Sequence, residues 1–254
     1  MEEKKKHLDT LKVAMVNYNN TLPFLYGLNR NFHNENLILD IPSRCKTYFD
    51  KDQTDAALIP IGTLSQSELK NIKTKYCIGC NGSVRTVVLF SNTPINEVTK
   101  VYLDAHSRTS QKLTKILCSE HWKIDPVYEE LWIDGTPQLE YSEAILMIGD
   151  KVIPHEGIYQ YTFDLGEEWK NMTGRSFPFA VWIFKDHVSD DLIKSFEQLL
   201  SIGINDIVSV IKEYKNQIIG NTPLNYYTTY IDYDFNDDKK ESLSIYLDFA
   251  DKLV

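Results

Sequence analysis

Short apolar runs alternate along this chain with longer amphipathic stretches, and this alternation restricts the possible folds more than any other feature of the sequence. The apolar runs are Lys12–Val16, Leu37–Ile41, Ala56–Pro60, Val84–Phe90, Val101–Asp104, Ala144–Ile148 and Phe179–Phe184. Segments with helical periodicity lie between them, such as Thr109–Cys118 and Asp191–Leu200. Alternation of strands and helices predicts an α/β fold built on largely parallel sheets.

Two strands that run directly into polar or turn residues are candidate crossings between lobes, namely FSNTP (Phe90–Pro94) and AVWIFKD (Ala180–Asp186). Two crossings would make residues 92–185 an inserted second lobe, while residues 1–91 and 186–254 would form a first lobe that holds both chain ends. The charged stretch Asp232–Glu241 is predicted to be a solvated turn before a final helix over Ser242–Leu253.

Charge and hydropathy narrow the class of partner. The 254 residues carry a formal net charge of −9, which argues against nucleic acid or an anionic membrane as the main partner. A small anionic ligand can then bind only where local dipoles or cations outweigh the negative electrostatic field of the whole protein. No apolar run approaches the roughly 18 residues of a membrane span, and the charged start MEEKKKHLDTLK lacks the apolar core of a signal peptide. We therefore expect a cytoplasmic protein without a membrane partner or an obligate protein partner.

The four cysteines do not suggest a disulfide framework in a chain of this length. Cys77 and Cys80 form one CxxC pair, but no second pair lies at the spacing of a structural zinc site. A redox pair is conceivable, although small apolar residues in or beside a strand are the favoured interpretation. No dinucleotide, P-loop or metalloprotease motif is present, which disfavours the chemistries that depend on those motifs, and no metal site is expected.

Three times a strand is followed by small polar residues and then by the start of a helix. The polar residues are Asn20 and Thr21, Ser43 after Pro42, and the stretch from Ser107 to Ser110. Each is, taken alone, more often a helix cap than a site. Together with four arginines in similar turns they predict a cleft for a small polyanion, because helix starts and guanidinium groups bind carboxylates. These arginines are Arg44, Arg85, Arg108 and Arg175.

Two further residues leave alternatives open. His106 is either a general base or, more commonly for such a position, a turn residue near a helix cap. Asp150 follows an apolar strand, at the edge where α/β folds bind ligands, so it either holds a ligand hydroxyl or caps the next turn.

Six motifs occur in an order that resembles the chorismate dehydratase family of the futalosine route to menaquinone. They are YNNTLPFLYGL, DAALIPIGTL, CNGSVRTVVLFS, LDAHSRTSQKL, ILMIGD and DLGEEWKNMTGRSFPFAVWIF, and the similarity runs from about Val13 to the C-terminal helix. The resemblance implies a two-lobed fold like that of type II periplasmic binding proteins, with the ligand cleft between the lobes. It also implies a cofactor-independent lyase that converts chorismate to 3-[(1-carboxyvinyl)oxy]benzoate. A related branch acting on cyclic dehypoxanthinyl futalosine begins with a different motif and matches less well.

The resemblance also implies site residues. Asn20 matches the active-site Asn of the family's YLNTLPF motif, whereas Asn19 replaces its usual Leu. Thr86 stands where the family has Ser and keeps the hydroxyl. The implied substrate-binding residues are Ser43, Ser83, Thr86, Ser107, Arg108, Thr109, Ser110, Gly149 and Asp150.

The proton acceptor stays open between three groups, which are Asp150, His106 and the enolpyruvyl carboxylate of the substrate itself. A neutral amide such as that of Asn20 is no useful base, so its expected task is orientation by hydrogen bonding. The alternative function is a small-anion binding protein of the same fold without catalysis.

Overall fold

The computed structural model describes residues 8, 10–30, 34–133, 135–218, 220 and 222–253. These residues form two β-sheets with helices packed against them. No helix of the described chain is long and apolar enough to cross a membrane.

The first sheet has six strands in the order β11-β4-β10-β3-β1-β2. Its strands are β1 (Val13–Val16), β2 (Leu37–Asp40), β3 (Ala56–Pro60), β4 (Ile72–Cys80), β10 (Phe177–Phe184) and β11 (Asp232–Asp234). Strand β1 pairs in parallel with β2 and β3, whereas β10 runs antiparallel between β3 and β4. The central strands β1 and β3 are buried throughout, which explains their unbroken apolar sequences.

The second sheet has five strands in the order β7-β6-β8-β5-β9. Its strands are β5 (Val87–Ser91), β6 (Lys100–Asp104), β7 (Val127–Leu131), β8 (Glu143–Ile148) and β9 (Tyr161–Asp164). Strand β6 is parallel to β7 and β8, but β5 is antiparallel to β8 and β9. The expectation of largely parallel sheets is thus only half right, because β5 and β10 enter their sheets from the opposite direction.

The α-helices are α1 (Leu22–Leu28), α2 (Pro42–Asp50), α3 (Arg108–Ile116), α4 (Leu165–Thr173), α5 (Asp190–Ile204), α6 (Ile207–Glu213), α7 (Pro223–Asn225) and α8 (Asp237–Ala250). Helix α3 continues into a π-helical turn over Leu117–Trp122, and α7 continues into another over Tyr226–Tyr230. The 3-10 turns are Asn19–Thr21, Asn34–Asn36, Ile61–Thr63, Gln66–Asn71, Ile95–Glu97 and Gly149–His155.

The chain passes from the first sheet to the second between β4 and β5 and returns between α4 and β10. Asp164 holds the first passage, because its carboxylate accepts hydrogen bonds from the backbone N–H groups of Val84 and Arg85. The same carboxylate caps α4 by accepting from the N–H of Gly166. Sheet membership therefore places both passages before the predicted crossings at Phe90–Pro94 and Ala180–Asp186. The division into a first lobe of two chain segments and a second lobe of one inserted segment remains a proposal.

The charged stretch Asp232–Glu241 is not a solvated turn. Asp232–Asp234 forms the edge strand β11, and α8 begins at Asp237 with Asn236 as its cap. Lys239 is completely buried, with Nζ 2.5 Å from Asp232 Oδ2 and 2.6 Å from the carbonyl oxygen of Asp234. A buried ammonium that is paired in this way lets a charged sequence join a sheet edge, which hydropathy alone does not indicate.

The cysteine pair lies on the buried strand β4, in agreement with the favoured interpretation. Cys77 and Cys80 are free and buried, and residues three apart on a strand face opposite sides of the sheet. Burial raises the pKa of the Cys77 thiol to about 12 and also raises that of Cys80. Both thiols therefore stay protonated and behave as small apolar groups.

Candidate active site

A cleft of about 650 Å³, partly open to solvent, lies between the two sheets. It is lined by Val16, Tyr18, Asn20, Pro42, Pro60, Ile78, Val84, Thr86, Val87, Ser107, Thr109, Ser110, Ile148, Gly149, Phe179 and Ala180. Most of these side chains are apolar, and the polar ones are neutral. A cleft with this lining suits a small ring compound whose polar groups project toward a few fixed donors.

Asn20 is placed at the cleft by the 3-10 turn that follows β1. The turn is held by Thr21, whose hydroxyl lies 2.8 Å from the carbonyl oxygens of both Val16 and Tyr18. The α1 helix receives no side-chain cap, so the expectation that these residues act as a helix cap is wrong for Asn20. Its amide oxygen is buried and has no hydrogen-bond partner in the described chain.

An unpartnered buried amide oxygen is costly, at about 1–3 kcal/mol, and native proteins rarely keep one without reason. In Asn20 this oxygen belongs to a residue that lines the cleft. A ligand hydroxyl that enters the cleft would satisfy it. Asn20 is therefore the strongest candidate for a ligand-contacting residue.

The opposite wall of the cleft is the start of α3. Ser107 caps this helix, since its Oγ accepts from the backbone N–H of Ser110 at 3.2 Å. The hydroxyl of Ser107 donates in turn to that of Ser110, at 2.9 Å. The prediction that this polar stretch caps a helix is confirmed for Ser107. The positive end of the helix dipole still faces the cleft and favours a negatively charged group.

The two walls touch beside the cleft, at Gly62 and Thr109. The Gly62 N–H donates to Thr109 Oγ1 at 2.9 Å, and Lys112 Nζ donates to the Gly62 carbonyl at 3.0 Å. A Cβ atom at position 62 would lie 2.6 Å from the backbone N and Cα of Thr109. Only glycine therefore allows the walls to approach this closely.

Thr86 and Gly149 meet where the chain enters the second sheet. The Gly149 N–H donates to the Thr86 carbonyl at 2.7 Å, and Gly149 adopts a left-handed backbone with φ of 72°. Both residues line the cleft. The structure thus brings Asn20, Thr86 and Gly149 together with Ser107, Thr109 and Ser110.

Asp150 lies just outside the cleft, in a neighbouring cavity that we call the Asp150 cavity. Tyr18, His106, Ile133, Ile148, Asp150 and Lys151 line this cavity. Burial raises the pKa of Asp150, opposed by a hydrogen bond from the backbone of Asn19. Burial also raises the pKa of Tyr18 to about 12, with further contributions from the charges of Asp104 and Asp150. The tyrosine that connects the cleft to this cavity is therefore a neutral hydroxyl.

His106 belongs to a charged network that sequence reasoning did not find. Asp104, the last residue of β6, is fully buried, and its Oδ1 lies 2.8 Å from His106 Nδ1. Its Oδ2 lies 2.5 Å from Lys151 Nζ. Asp104 ends a predicted strand, so its position after the apolar run VYL was the available signal. The network orients His106, which borders the Asp150 cavity rather than the cleft.

Two other sequence-derived site residues do not line the cleft, and the side chain of a third, Ser43, is outside the described part of the structure. The backbone of Ser43 is inside α2, whose cap position is Ile41. The hydroxyl of Ser83 donates to Asp164 at 2.6 Å and does not line the cleft. Arg108 is exposed at a second neighbouring cavity.

The prediction that arginines converge on the cleft is wrong. No arginine of the described chain lines it. Arg44 lies 3.6 Å from Asp40, Arg85 pairs with Glu156, and Arg175 pairs with Asp238 and Glu241. These carboxylates are the physical reason, because they occupy guanidinium groups that a polyanion would otherwise need. Within the described residues, no group of three or more His, Cys, Asp or Glu side chains is arranged to hold a metal ion.

Solved structures with the same architecture include several periplasmic-binding-protein-like folds. Protein AF1704 from Archaeoglobus fulgidus superposes with a TM-score of 0.68 at 12% identity, over 95% of this chain and 97% of that one. An ABC transporter structure from Parabacteroides distasonis gives 0.63 at 15% identity, over 96% and 93%. A Candida albicans protein described as having the generic periplasmic binding protein structural fold gives 0.52 at 12%, over 96% and 91%. At these identities the similarity shows the fold, which is two-lobed α/β as the sequence resemblance implied.

A family model described as menaquinone biosynthesis matches residues 11–252, which is nearly the whole chain. The match includes the turn of Asn20, the passage through Thr86 and the start of α3. It confirms the family resemblance at the level of the pathway. The chain belongs to the menaquinone biosynthesis family.

Proposed function

We propose that this protein is a chorismate dehydratase, which removes water from chorismate to give 3-[(1-carboxyvinyl)oxy]benzoate without a cofactor. The observation that carries the proposal is the buried, unpartnered amide oxygen of Asn20 in an apolar cleft. Membership of the menaquinone biosynthesis family supports a role in that pathway. The expected cytoplasmic setting is part of the proposal.

The cleft suits the substrate in polarity. Chorismate is a compact ring with two carboxylates and one hydroxyl at its edge, so an apolar lining fits the ring. The start of α3, with the Ser107 and Ser110 hydroxyls, would hold one carboxylate through the helix dipole. Thr86 would hold the second carboxylate from the opposite side of the cleft.

The reaction breaks one C–H bond and one C–O bond on adjacent ring carbons. The C–H electrons form the new ring double bond, the hydroxyl leaves with a proton as water, and aromatisation supplies the driving force. Asn20 would orient the leaving hydroxyl by accepting its hydrogen bond. Positioning and exclusion of water would then account for most of the catalysis.

We propose the enolpyruvyl carboxylate of the substrate as proton acceptor. Asp150 and His106 border the Asp150 cavity and do not line the cleft. His106 is also occupied by Asp104, 2.8 Å from its Nδ1. A site with neutral polar groups favours a base that the substrate itself brings.

The test incubates the purified protein with chorismate alone and follows the product by absorbance and mass spectrometry. Loss of one water and a benzoate spectrum are expected. Asp150→Ala and His106→Ala should keep turnover within about tenfold of the unmodified protein if the substrate carboxylate is the base, since loss of a general base costs about 10²–10⁴.

Two results would contradict the proposal. Chorismate that binds and stays intact would favour the alternative function, a small-anion binding protein of this fold. Absence of any binding would show that chorismate is not the ligand of the cleft.

A further inference from the structure

Three tyrosines from the C-terminal segment form hydrogen bonds through their hydroxyls to the loops that form the cleft. Tyr227 donates to the Asn19 carbonyl at 3.0 Å, and Tyr233 donates to the Asn20 carbonyl at 2.9 Å. All three side chains are buried, and they lie in the π-helical turn Tyr226–Tyr230 and in β11. No sequence pattern indicated a role for this segment, because its tyrosines follow no regular spacing.

The third tyrosine, Tyr226, contacts Thr86, which also lines the cleft. Tyr226 Oη lies 3.2 Å from Thr86 Oγ1. The Thr86 carbonyl is already engaged by the N–H of Gly149, at 2.7 Å. Both the backbone and the side chain of Thr86 therefore have fixed partners.

The tyrosine bonds to the Asn20 turn add to a small set of other contacts. Helix α1 has no side-chain cap, the Thr21 hydroxyl bonds to the carbonyls of Val16 and Tyr18, and the backbone of Asn19 bonds to Asp150. Burial raises the pKa of Tyr226 and of Tyr233, so both hydroxyls stay protonated at any ordinary pH. Tyr233 thus holds the backbone carbonyl of Asn20, while the amide oxygen of Asn20 has no partner in the described chain and is available to a ligand in the cleft.

We propose that Tyr233 and Tyr226 are positioning residues, which hold Asn20 and Thr86 in the orientation that the substrate requires. The inference rests on the proposed dehydration. Tyr233 acts through the Asn20 backbone and Tyr226 through the Thr86 hydroxyl, and neither tyrosine lines the cleft. The C-terminal segment therefore contributes to the site without touching the ligand.

Removal of the Tyr233 hydroxyl alone keeps the packing of the ring. The ring contacts Phe24 edge-on with centroids 5.3 Å apart, and Tyr233→Phe retains this contact. The variant removes the bond to the Asn20 carbonyl, so the amide can shift within the cleft. Small displacements of an orienting group lower turnover strongly.

Tyr159 offers a matched control. Its side chain is 7% exposed, against 6% for Tyr233, and its hydroxyl donates to the Pro137 carbonyl at 2.8 Å, away from the cleft. Tyr159→Phe therefore removes the same kind of bond from a site that the substrate does not reach. Equal losses of thermal stability are expected for the two variants.

The experiment compares kcat, KM and Tm for the unmodified protein, Tyr233→Phe, Tyr226→Phe and Tyr159→Phe with chorismate. Tyr233→Phe should lower kcat about tenfold with KM within about twofold. Tyr226→Phe should raise KM by about threefold, because Thr86 is placed to bind rather than to react. Tyr159→Phe should leave both constants within about twofold of the unmodified protein. If Tyr233→Phe and Tyr226→Phe both match Tyr159→Phe, the inference is overturned.

Hydrogen exchange in the peptide that covers residues 17–28 distinguishes failure of the proposed function from failure of the positioning role. If the unmodified protein does not turn over chorismate, the proposed reaction is wrong, and exchange alone decides the positioning role. Faster exchange at the Asn20 turn in Tyr233→Phe, but not in Tyr159→Phe, supports it. Equal exchange in the two variants overturns it, and the same comparison with Tyr226→Phe applies if Tyr233→Phe does not fold.

Discussion

The two walls of the cleft share the order of strand, polar turn and helix, and they differ in how their polar groups are satisfied. On the second-lobe side, Ser107 and Ser110 bond to each other and to the start of α3. On the first-lobe side, Asn20 leaves its amide oxygen without a partner, and the backbone of its turn is held by tyrosines from more than 200 positions later in the chain. Both stretches follow a strand and precede a helix.

The difference shows which wall pairs its own polar side chains and which wall leaves a polar atom free for a ligand. A side chain that caps its own helix is already needed for stability. A buried polar group that the protein does not satisfy carries a cost that a ligand can remove. We therefore expect substitutions on the Asn20 side to affect turnover and substitutions on the Ser107 side to affect stability.

The largest effect is expected for Asn20→Ala. Turnover should fall by about 10²–10³, as for the loss of an orienting hydrogen-bond group in other active sites. The free energy of unfolding should rise, by up to about 1–3 kcal/mol, because the substitution removes a buried amide oxygen that makes no bond within the described chain. Steady-state kinetics and urea denaturation measure the two quantities.

Asn71→Ala is the matched control for that variant. Asn71 also has a buried amide oxygen without a partner, but it lies in the 3-10 turn before β4 and does not line the cleft. Its turnover should equal that of the unmodified protein. Equal loss of turnover in the two variants would show that Asn20 has no special role.

An intermediate effect is expected for Gly62→Ala, where the walls touch. The added Cβ would lie 2.6 Å from the Thr109 backbone, and such overlap costs about 1–3 kcal/mol. The variant should resist full closure, so KM should rise by about tenfold while the far-ultraviolet circular dichroism stays the same. An unchanged KM would mean that the walls need not approach this closely when substrate binds.

The smallest effect on turnover is expected for Ser107→Ala. Loss of this cap leaves the Ser110 N–H without its partner and should lower stability by about 1 kcal/mol. Turnover should fall by less than about tenfold, since the helix dipole remains. If Ser107→Ala lowers turnover as much as Asn20→Ala, the contrast between the two walls is wrong.

The strands that sequence patterns predicted well are mostly buried ones. Strands β1, β2, β3, β6, β8 and β10 appear within two residues of their predicted bounds, and of these only β2 has no buried residue. The strands that were not predicted, namely β4, β7, β9 and β11, contain charged residues, cysteines or tyrosines and lie toward the edges of their sheets or against helices. Their membership depends on neighbours that no local pattern reveals.

At the site, the motifs identified residues that line the cleft. The hydrogen-bond partners of these residues depend on contacts that are distant in sequence. The sequence placed Asn20, Ser107 and Gly149 in turns at strand ends and Thr86 inside a predicted strand, and all four line the cleft. Ser83 has equal motif status, yet it donates to Asp164 in the passage between sheets. A hydroxyl in a turn can serve either purpose, and the nearest unpaired acceptor decides between them.

By itself, the sequence determined the α/β alternation, the family and the short polar stretches after the strands, because these depend on residue type and local spacing. Only the tertiary structure decided that three arginines are occupied by carboxylates, that Lys239 is buried and that tyrosines of the last segment hold the Asn20 turn. The physical reason is that a polar group acts according to what it pairs with. Hydrogen bonds and ion pairs in this chain join residues that are up to about 200 positions apart.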